Sequence, residues 1–450
     1  MGLEPAIFGL KSRIDINRGL SPRLITVGLF CALLPSCGGG GSSAPPPKPL
    51  TVTAKVLYSF GSTSTDAMQP DGLLIQGSDG NFYGTTGFGG LPDCNFGNAA
   101  TDSSAYIGCG TVYKITPAGE ETVLHLFTPG SGDGIYPASL IEGSDGNFYG
   151  TAVEGGANNL GAVFKLTPQG TETILYSFSD ASDGAGPDGL VQGSDGNFYG
   201  TTEFGGVSGA GTVFRLTQQG VETVLYSFTG NFEEFASPPT ASTDGANPVG
   251  QLVEGSDGNF YGVTSLGGLI ISTTDEGGIT WGGTAFKVTP AGVETVLRRF
   301  SGAPDDGWLP NGGLIQGSDG TLYGTTQEGG INDLGTVFSI TPTGIETILH
   351  SFDGSDGAAS AAGLTQGTDG NFYGTTVIEG TNEGGTMFQL TPSGVLTVLY
   401  SFPQTFIGGY YGPGPDTNLV QGRDGNLYGA TQYAGTYNLG YFFELVLSSH

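Results

Sequence analysis

The sequence predicts an all-β chain: a seven-bladed β-propeller of four-stranded blades, closed by the N-terminal strand completing the last blade. Three observations carry this. First, Gly77-Ser78-Asp79-Gly80-Asn81-Phe82-Tyr83-Gly84-Thr85-Thr86 returns in seven copies, beginning at Gly77, Gly143, Gly193, Gly255, Gly317, Gly367 and Gly422. Second, three other segments recur with it, giving units of 50 to 66 residues, and four-stranded repeats of about this length are the signature of a propeller. Third, the chain opens on one member of the set and lacks that member at its end.

Each segment reads as a strand for its own reason. Strand A is a short apolar run such as Gly72-Leu73-Leu74-Ile75-Gln76 or Gly189-Leu190-Val191-Gln192. Ser-Asp-Gly-Asn then supplies a tight turn, because Gly and Asn adopt positive φ cheaply. Strand B, Phe-Tyr-Gly-Thr-Thr, is rich in aromatic and β-branched residues. Strand C, as in Gly161-Ala162-Val163-Phe164-Lys165-Leu166, is apolar on both faces, as a sheet held between two others requires. Strand D ends at Phe60, Phe127, Phe178, Phe228, Phe300, Phe352 and Phe402 and carries Ser177, Arg298, Arg299 and His350, fitting an outer edge. The D strand from Val52 to Phe60 precedes any A strand, and nothing of type D follows Tyr441 to Leu447. These two segments are therefore expected to pair.

The A–B turns and the C–D turns (Thr167-Pro168-Gln169-Gly170) are short and nearly constant. The B–C and D–A loops carry every insertion, at 87–109, 229–248, 265–282 and 403–417. In an up-and-down blade these two loop sets share one end. A site held by a rigid scaffold is expected there.

Net charge is −29, charged residues are only 12 % of the chain, and Gly is 84 of 450. Such acidity argues against nucleic acid and anionic membrane surfaces as partners. The glycines fall at fixed repeat positions beside aromatics, which marks turns rather than disorder. Lys11, Arg13, Arg18 and Arg23 precede the apolar run Leu24 to Leu34, too short for a permanent span. Residues 1–36 are read as an export signal. Residues 37–51, with Gly38 to Gly41 and Pro45 to Pro47, read as a flexible tether, and 52–450 as the propeller. Leu34-Pro35-Ser36-Cys37 resembles the lipobox of bacterial lipoproteins, which implies lipidation at Cys37 and a lipid-anchored protein at the outer membrane or cell surface. The alternative is an ordinary secretory signal cut nearby.

S-D-G-N-F-Y-G-T-T followed by G-T-V-F-K-L-T-P-x-G-x-E-T-x-L-Y-S-F resembles the bacterial GloVer tandem repeat, a "choice-of-anchor" family. The likeness runs from about Val52 to Leu447. It implies a surface-attached repeat protein and no catalytic residue to carry over. Strands B to D resemble the quinoprotein-type propeller repeat more weakly.

Candidate site residues follow from chemistry. Cys94 and Cys109 share one B–C insertion and are expected to form a disulfide in an exported chain. Asp79, Asp145, Asp195, Asp257, Asp319, Asp369 and Asp424 are read as turn residues. So are the Asp-Gly pairs at 133, 183, 244, 306 and 356. Glu154, Glu203 and Glu328 are expected at the ends of B strands, near the channel mouth. There they form a solvated acidic rim, or hold calcium or a sugar, or act as an acid/base pair. Trp281, Trp308, Tyr410 and Tyr411 are either loop packing or a carbohydrate platform. His125 and His350 fall on outer strands, so neither a Ser-His-Asp nor a His-metal site is expected on the insertion face. The two tryptophans do not recur at a fixed position, which disfavours a quinone-dependent dehydrogenase. The leading reading is a monomeric, surface-anchored binding or scaffold module without cofactor or catalysis, with polysaccharide or another surface protein as partner. The second is an extracellular carbohydrate hydrolase or lyase using rim carboxylates.

Overall fold

The structure is a computed structural model that describes residues 50–63, 65–91, 108–130, 132–179, 182–230, 244–273, 279–407, 410–412, 414–415 and 417–449. Among these residues every regular element is a strand. Seven small antiparallel sheets form the seven blades of a propeller. Blade 2 shows the plan: A is Gly134–Glu142, B Phe148–Gly155, C Ala162–Leu166 and D Glu172–Ser177, hydrogen-bonded in that order. Two extra hairpins, Ile270–Thr273 with Ile279–Trp281 and Thr405–Ile407 with Tyr410–Gly412, stand in the loops that carry insertions.

The seventh blade is completed by the start of the chain. Leu50–Ser59 pairs antiparallel with Tyr441–Ser449, from Leu50 opposite Ser449 to Ser59 opposite Tyr441. Lys55 Nζ reaches Glu444 Oε2 at 3.0 Å across this pair. The strand starts at Leu50, so the last two residues of the segment read as tether belong to the sheet.

Strand A differs from its sequence reading. In blades 1 to 5 it begins upstream of the Leu-Ile run, within the segment read as D–A loop, and pairs with B on both sides of an irregularity. In blade 3, Pro187 is opposite Thr202 while Leu190 is opposite Gly200. Accordingly Gly134, Gly245 and Gly307 open strands rather than turns. The residue before the proline takes a left-handed φ, +54° at Gln69, +56° at Tyr136, +57° at Asn247 and +57° at Leu309. This directs its N–H away from its own sheet and into the previous blade: Tyr136 N donates to Cys109 O at 2.9 Å and Asn247 N to Ala210 O at 2.9 Å. Gln69 N donates to Leu439 O at 2.8 Å, joining blade 1 to blade 7 in the same way.

Four further contacts repeat around the ring. The last residue of each A strand accepts the backbone N–H of the preceding blade's A–B turn. Glu142 takes Ser78 N at 2.6 Å, Gln192 takes Ser144 N at 2.8 Å, and Gln76 closes the circle on Arg423 N at 3.1 Å. In each turn the aspartate accepts from the Tyr of its own B strand, as Tyr261 Oη does to Asp257 Oδ2 at 2.7 Å. In five seams that Tyr packs on the B-strand Phe of the next blade, with ring centroids 3.9 Å apart for Tyr199 and Phe260 and 4.2 Å for Tyr428 and Phe82, and in the other two Leu322 and Leu427 take the place of the Phe. Farther out, each D-strand Phe meets the C-strand aromatic of the next blade edge-on, as Phe178 does Phe214. Val163 and Phe164, on opposite faces of strand C, are both fully buried, as a sandwiched sheet requires. The hydrophobic core is thus divided into layers between neighbouring blades.

Candidate functional site

The antiparallel order places each blade's B–C and D–A loops at the same ends of its strands, so the insertions share one end. Of the residues predicted there, Cys94 lies outside the described residues, as does the lipidation candidate Cys37. Cys109 is buried at the base of the first insertion, where its carbonyl receives Tyr136 N. Trp281 ends the hairpin Ile279–Trp281 and is only 3 % exposed. Tyr410 and Tyr411 lie in the strand Tyr410–Gly412.

The three rim glutamates do not converge. Glu154 is opposite Ile135 and Glu328 opposite Trp308, the same position in blades 2 and 5. Glu203 precedes that position by one residue, since the equivalent of Glu154 is Phe204, opposite Ala185. A one-residue step in a strand turns the side chain to the other face, so Glu203 points away from the face used by the other two. Burial raises the Glu154 carboxyl above its usual range. Glu203 is pushed up to about 7, first by burial and then by the neighbouring Asp188 carboxylate. Burial also raises Asp188, whose Oδ2 accepts Gly250 N of the next blade at 2.6 Å. Asp188, unremarked in the sequence, follows the proline that marks the irregularity in strand A. Its place beside Glu203 depends on that irregularity, which spacing does not show.

Around Trp308 the structure does gather predicted residues. Its indole N–H donates to Asp333 Oδ1 at 3.1 Å, which also takes Gly329 N at 2.9 Å, and Glu328 is its cross-strand neighbour. A half-buried ring with acceptors on either side can stack a sugar and accept its hydroxyls.

A second set of acidic groups lies on the outer seams between D strands. Among the described residues, the aspartate that follows each of six D strands is buried or nearly so and caps the strand end: Asp183 Oδ2 accepts Ser179 N at 2.9 Å, Ser179 Oγ at 2.7 Å and Tyr176 Oη at 2.6 Å. The first residue of the next D strand is a glutamate in five seams, Glu121, Glu172, Glu222, Glu294 and Glu346. Each is pushed up to about 7 by burial and by its aspartate, Asp66, Asp133, Asp183, Asp244 and Asp306 respectively. The Oε1 atom of all five is buried without a hydrogen-bond partner. The Asp-Gly pairs are therefore more than turns. The two strand histidines also reach loop residues, with His125 Nε2 3.4 Å from Asp133 Oδ2 and His350 Nε2 2.6 Å from Asp356 Oδ2. This corrects the expectation that strand D keeps them from the loops: each stands two residues before the D-strand Phe, beside the D–A loop.

A ring of seven sheets tied by repeated seams defines a β-propeller repeat protein. Residues 92–270 and 266–450 each match the Gloeobacter/Verrucomicrobia repeat, and the chain belongs to that family. No curated protein matches its sequence. Among solved structures, a streptogramin B lyase is similar with a TM-score of 0.55 at 16 % identity, covering 88 % of this chain and 98 % of that one. A protein of unknown function from Dyadobacter fermentans aligns at TM-score 0.47 and 10 % identity, over 89 % and 99 % of the two chains. A gluconolactonase from Xanthomonas campestris aligns at 0.39 and 13 %, over 80 % and 97 %. Likeness at such identity speaks to the fold alone.

Proposed function

We propose that this chain is a surface-anchored binding or scaffold module that takes its ligand at the insertion end of the propeller and performs no catalysis. The observation that carries the reading is the division of labour between the two ends. At the A–B end, turn, clamp and tyrosine are committed to structure in every seam. Insertions are confined to the other end. A polysaccharide or a second surface protein is the partner class, and Trp308 with Glu328 and Asp333 is the best-formed patch to meet it. In this reading the chain works as a monomer, Cys94 and Cys109 close their loop by a disulfide, and Cys37 carries the lipid. The test is a glycan array with the purified chain, with and without calcium, comparing wild type with W308A. Saturable glycan binding that W308A weakens at least tenfold supports the reading. Binding unchanged by W308A but lost on altering the Ser-Asp-Gly-Asn turns would put the working end opposite.

A hydrolase or lyase is the second reading, favoured by one observation, the Asp188–Glu203 carboxyl pair. A carboxyl titrating near 7 exchanges protons at neutral pH. Release of reducing ends or unsaturated products that E203Q abolishes would establish this reading in place of the first.

Anchoring has its own test. C37A should leave the chain soluble or unprocessed, and an unchanged membrane fraction and mass would contradict lipidation at Cys37.

A further inference from the structure

The outer seams share one design but differ in what faces the two carboxylates. In the seam of blades 4 and 5 a cation does. Arg298 Nη2 donates to Asp306 Oδ2 at 2.5 Å, and Arg298 Nε lies 2.6 Å from Glu346 Oε2. Glu346 and Asp306 expose only 7 % and 1 % of their side chains. The protein thus shows that this paired-carboxylate cradle accepts a positive centre. In three other seams a tyrosine replaces the arginine: Tyr58 beside Asp66, Tyr176 beside Asp183 and Tyr226 beside Asp244. A phenol brings no charge.

The seam of blades 1 and 2 is different. There the position holds His125, with Asp133 and Glu172 as the carboxylates, and one ligand atom from each lies within 4.8 Å of the others. Among the described residues no other group of three His, Cys, Asp or Glu side chains is placed to hold a metal. His125 Nε2 and Asp133 Oδ2 are 3.4 Å apart, beyond the usual 2.7–3.2 Å of an N–H···O hydrogen bond. It matches the roughly 3.4 Å between ligand atoms of a tetrahedron with metal–ligand bonds of about 2.1 Å. Supporting contacts are in place. Thr128 N donates to Asp133 Oδ2 at 3.0 Å, and the His125 ring is held edge-on by Phe127 with centroids 4.7 Å apart. Outer-shell contacts of this kind fix ligand orientation. Glu172 Oε1 is buried and has no hydrogen-bond partner. The seam therefore has two carboxylates, an imidazole in the place of the guanidinium, and a buried oxygen awaiting a positive centre.

We propose that His125, Asp133 and Glu172 form a divalent-metal site of the zinc class at the outer seam of blades 1 and 2. The three half-buried ligands leave a fourth position to water. The metal does there what Arg298 does three seams on: it neutralises two carboxylates and ties a D strand to the next blade. The donor set, one imidazole and two carboxylates, suits zinc better than calcium, which takes six or more oxygens.

The test is calorimetric titration of the chelator-stripped full chain with zinc chloride, in excess magnesium to occupy indifferent carboxylates. One equivalent is expected to bind saturably and to raise the Tm. H125Y rebuilds the Tyr176 type of seam, so it should fold, and it should weaken zinc at least tenfold. E172Q should act in the same direction. H125R rebuilds the Arg298 seam and should bind no zinc while melting at or above the zinc-loaded wild type. H350Y should change nothing, since Leu396 stands where its seam would need the glutamate. Cobalt should give a visible d–d band that H125Y removes. No saturable zinc binding, or binding that survives both H125Y and H125R, overturns the proposal.

Discussion

Gly161, just before strand C of blade 2, has a φ of +96°, and a Cβ there would overlap Ala152 O and the Cδ of Pro187 in blade 3. Gly110, Gly211, Gly283 and Gly440 face Pro137, Pro248, Pro310 and Pro70 in the same way. Gly146, in an A–B turn, has a φ of +74° but open space around its Cα. Alanine at Gly146 should therefore cost only the backbone strain, about 1 kcal/mol. G161A should cost at least twice that, because the seam must also part. Urea midpoints of the two variants check this, and equal losses would mean that the glycine–proline contact contributes nothing. At this scale the sequence was legible where one residue acts locally. The turn aspartates and the glycines were marked by recurrence alone. Paired carboxylates were not, because partners such as Asp66 and Glu121 stand in different repeats. A signal was present nonetheless: wherever Glu begins strand D, an aspartate precedes it by one unit, and where Leu396 or Ala54 takes its place the acidic pair is missing.

Between elements, two sets of carboxyl groups respond to pH in opposite senses. In the turns, burial tends to raise the aspartates, yet hydrogen bonds from Tyr and Asn outweigh it, and Asp79, Asp195, Asp257 and Asp369 end below the usual range. Their contribution is present above the unfolded value of about 3.9 and is lost as pH falls through the folded one. In the seams the glutamates titrate near 7, above an unfolded value of about 4.3. The folded chain therefore binds more protons. That contribution is full below about 4.3 and disappears as pH rises towards 7. Thermal stability should peak between about pH 4 and 5 and decline to pH 8. In metal-free buffer, E222Q with E294Q should flatten that decline, as scanning calorimetry at pH 5 and pH 8 would show. A decline as steep as that of the wild type would assign it to general repulsion among acidic groups. The four-strand plan and strand order were readable from alternation and turn chemistry. The extension of strand A was not, since Pro and a left-handed residue inside a strand look like a loop until the next blade supplies a partner for the turned-away N–H.

For the molecule as a whole, the pairing of Leu50–Ser59 with Tyr441–Ser449 decides whether the ring is one cooperative object. Deleting residues 50–59 should lower the Tm strongly and expose the Tyr441–Ser449 edge, and an unchanged melting point would refute the role given to that strand. Closure was legible because the D-type segment was one unit out of step with the rest. The same arrangement fixes the order of events in folding. The first strand to leave the ribosome has its partner nearly 400 residues later, so it waits for the last, and during that interval blade 7 presents an unpaired edge. A second chain's waiting strand fits that edge residue for residue, because swapping identical strands between two copies keeps every hydrogen bond of the blade. Refolding at high concentration should thus yield interlocked pairs of rings, each finished by the other's first strand, and dilution during refolding should favour the self-closed form.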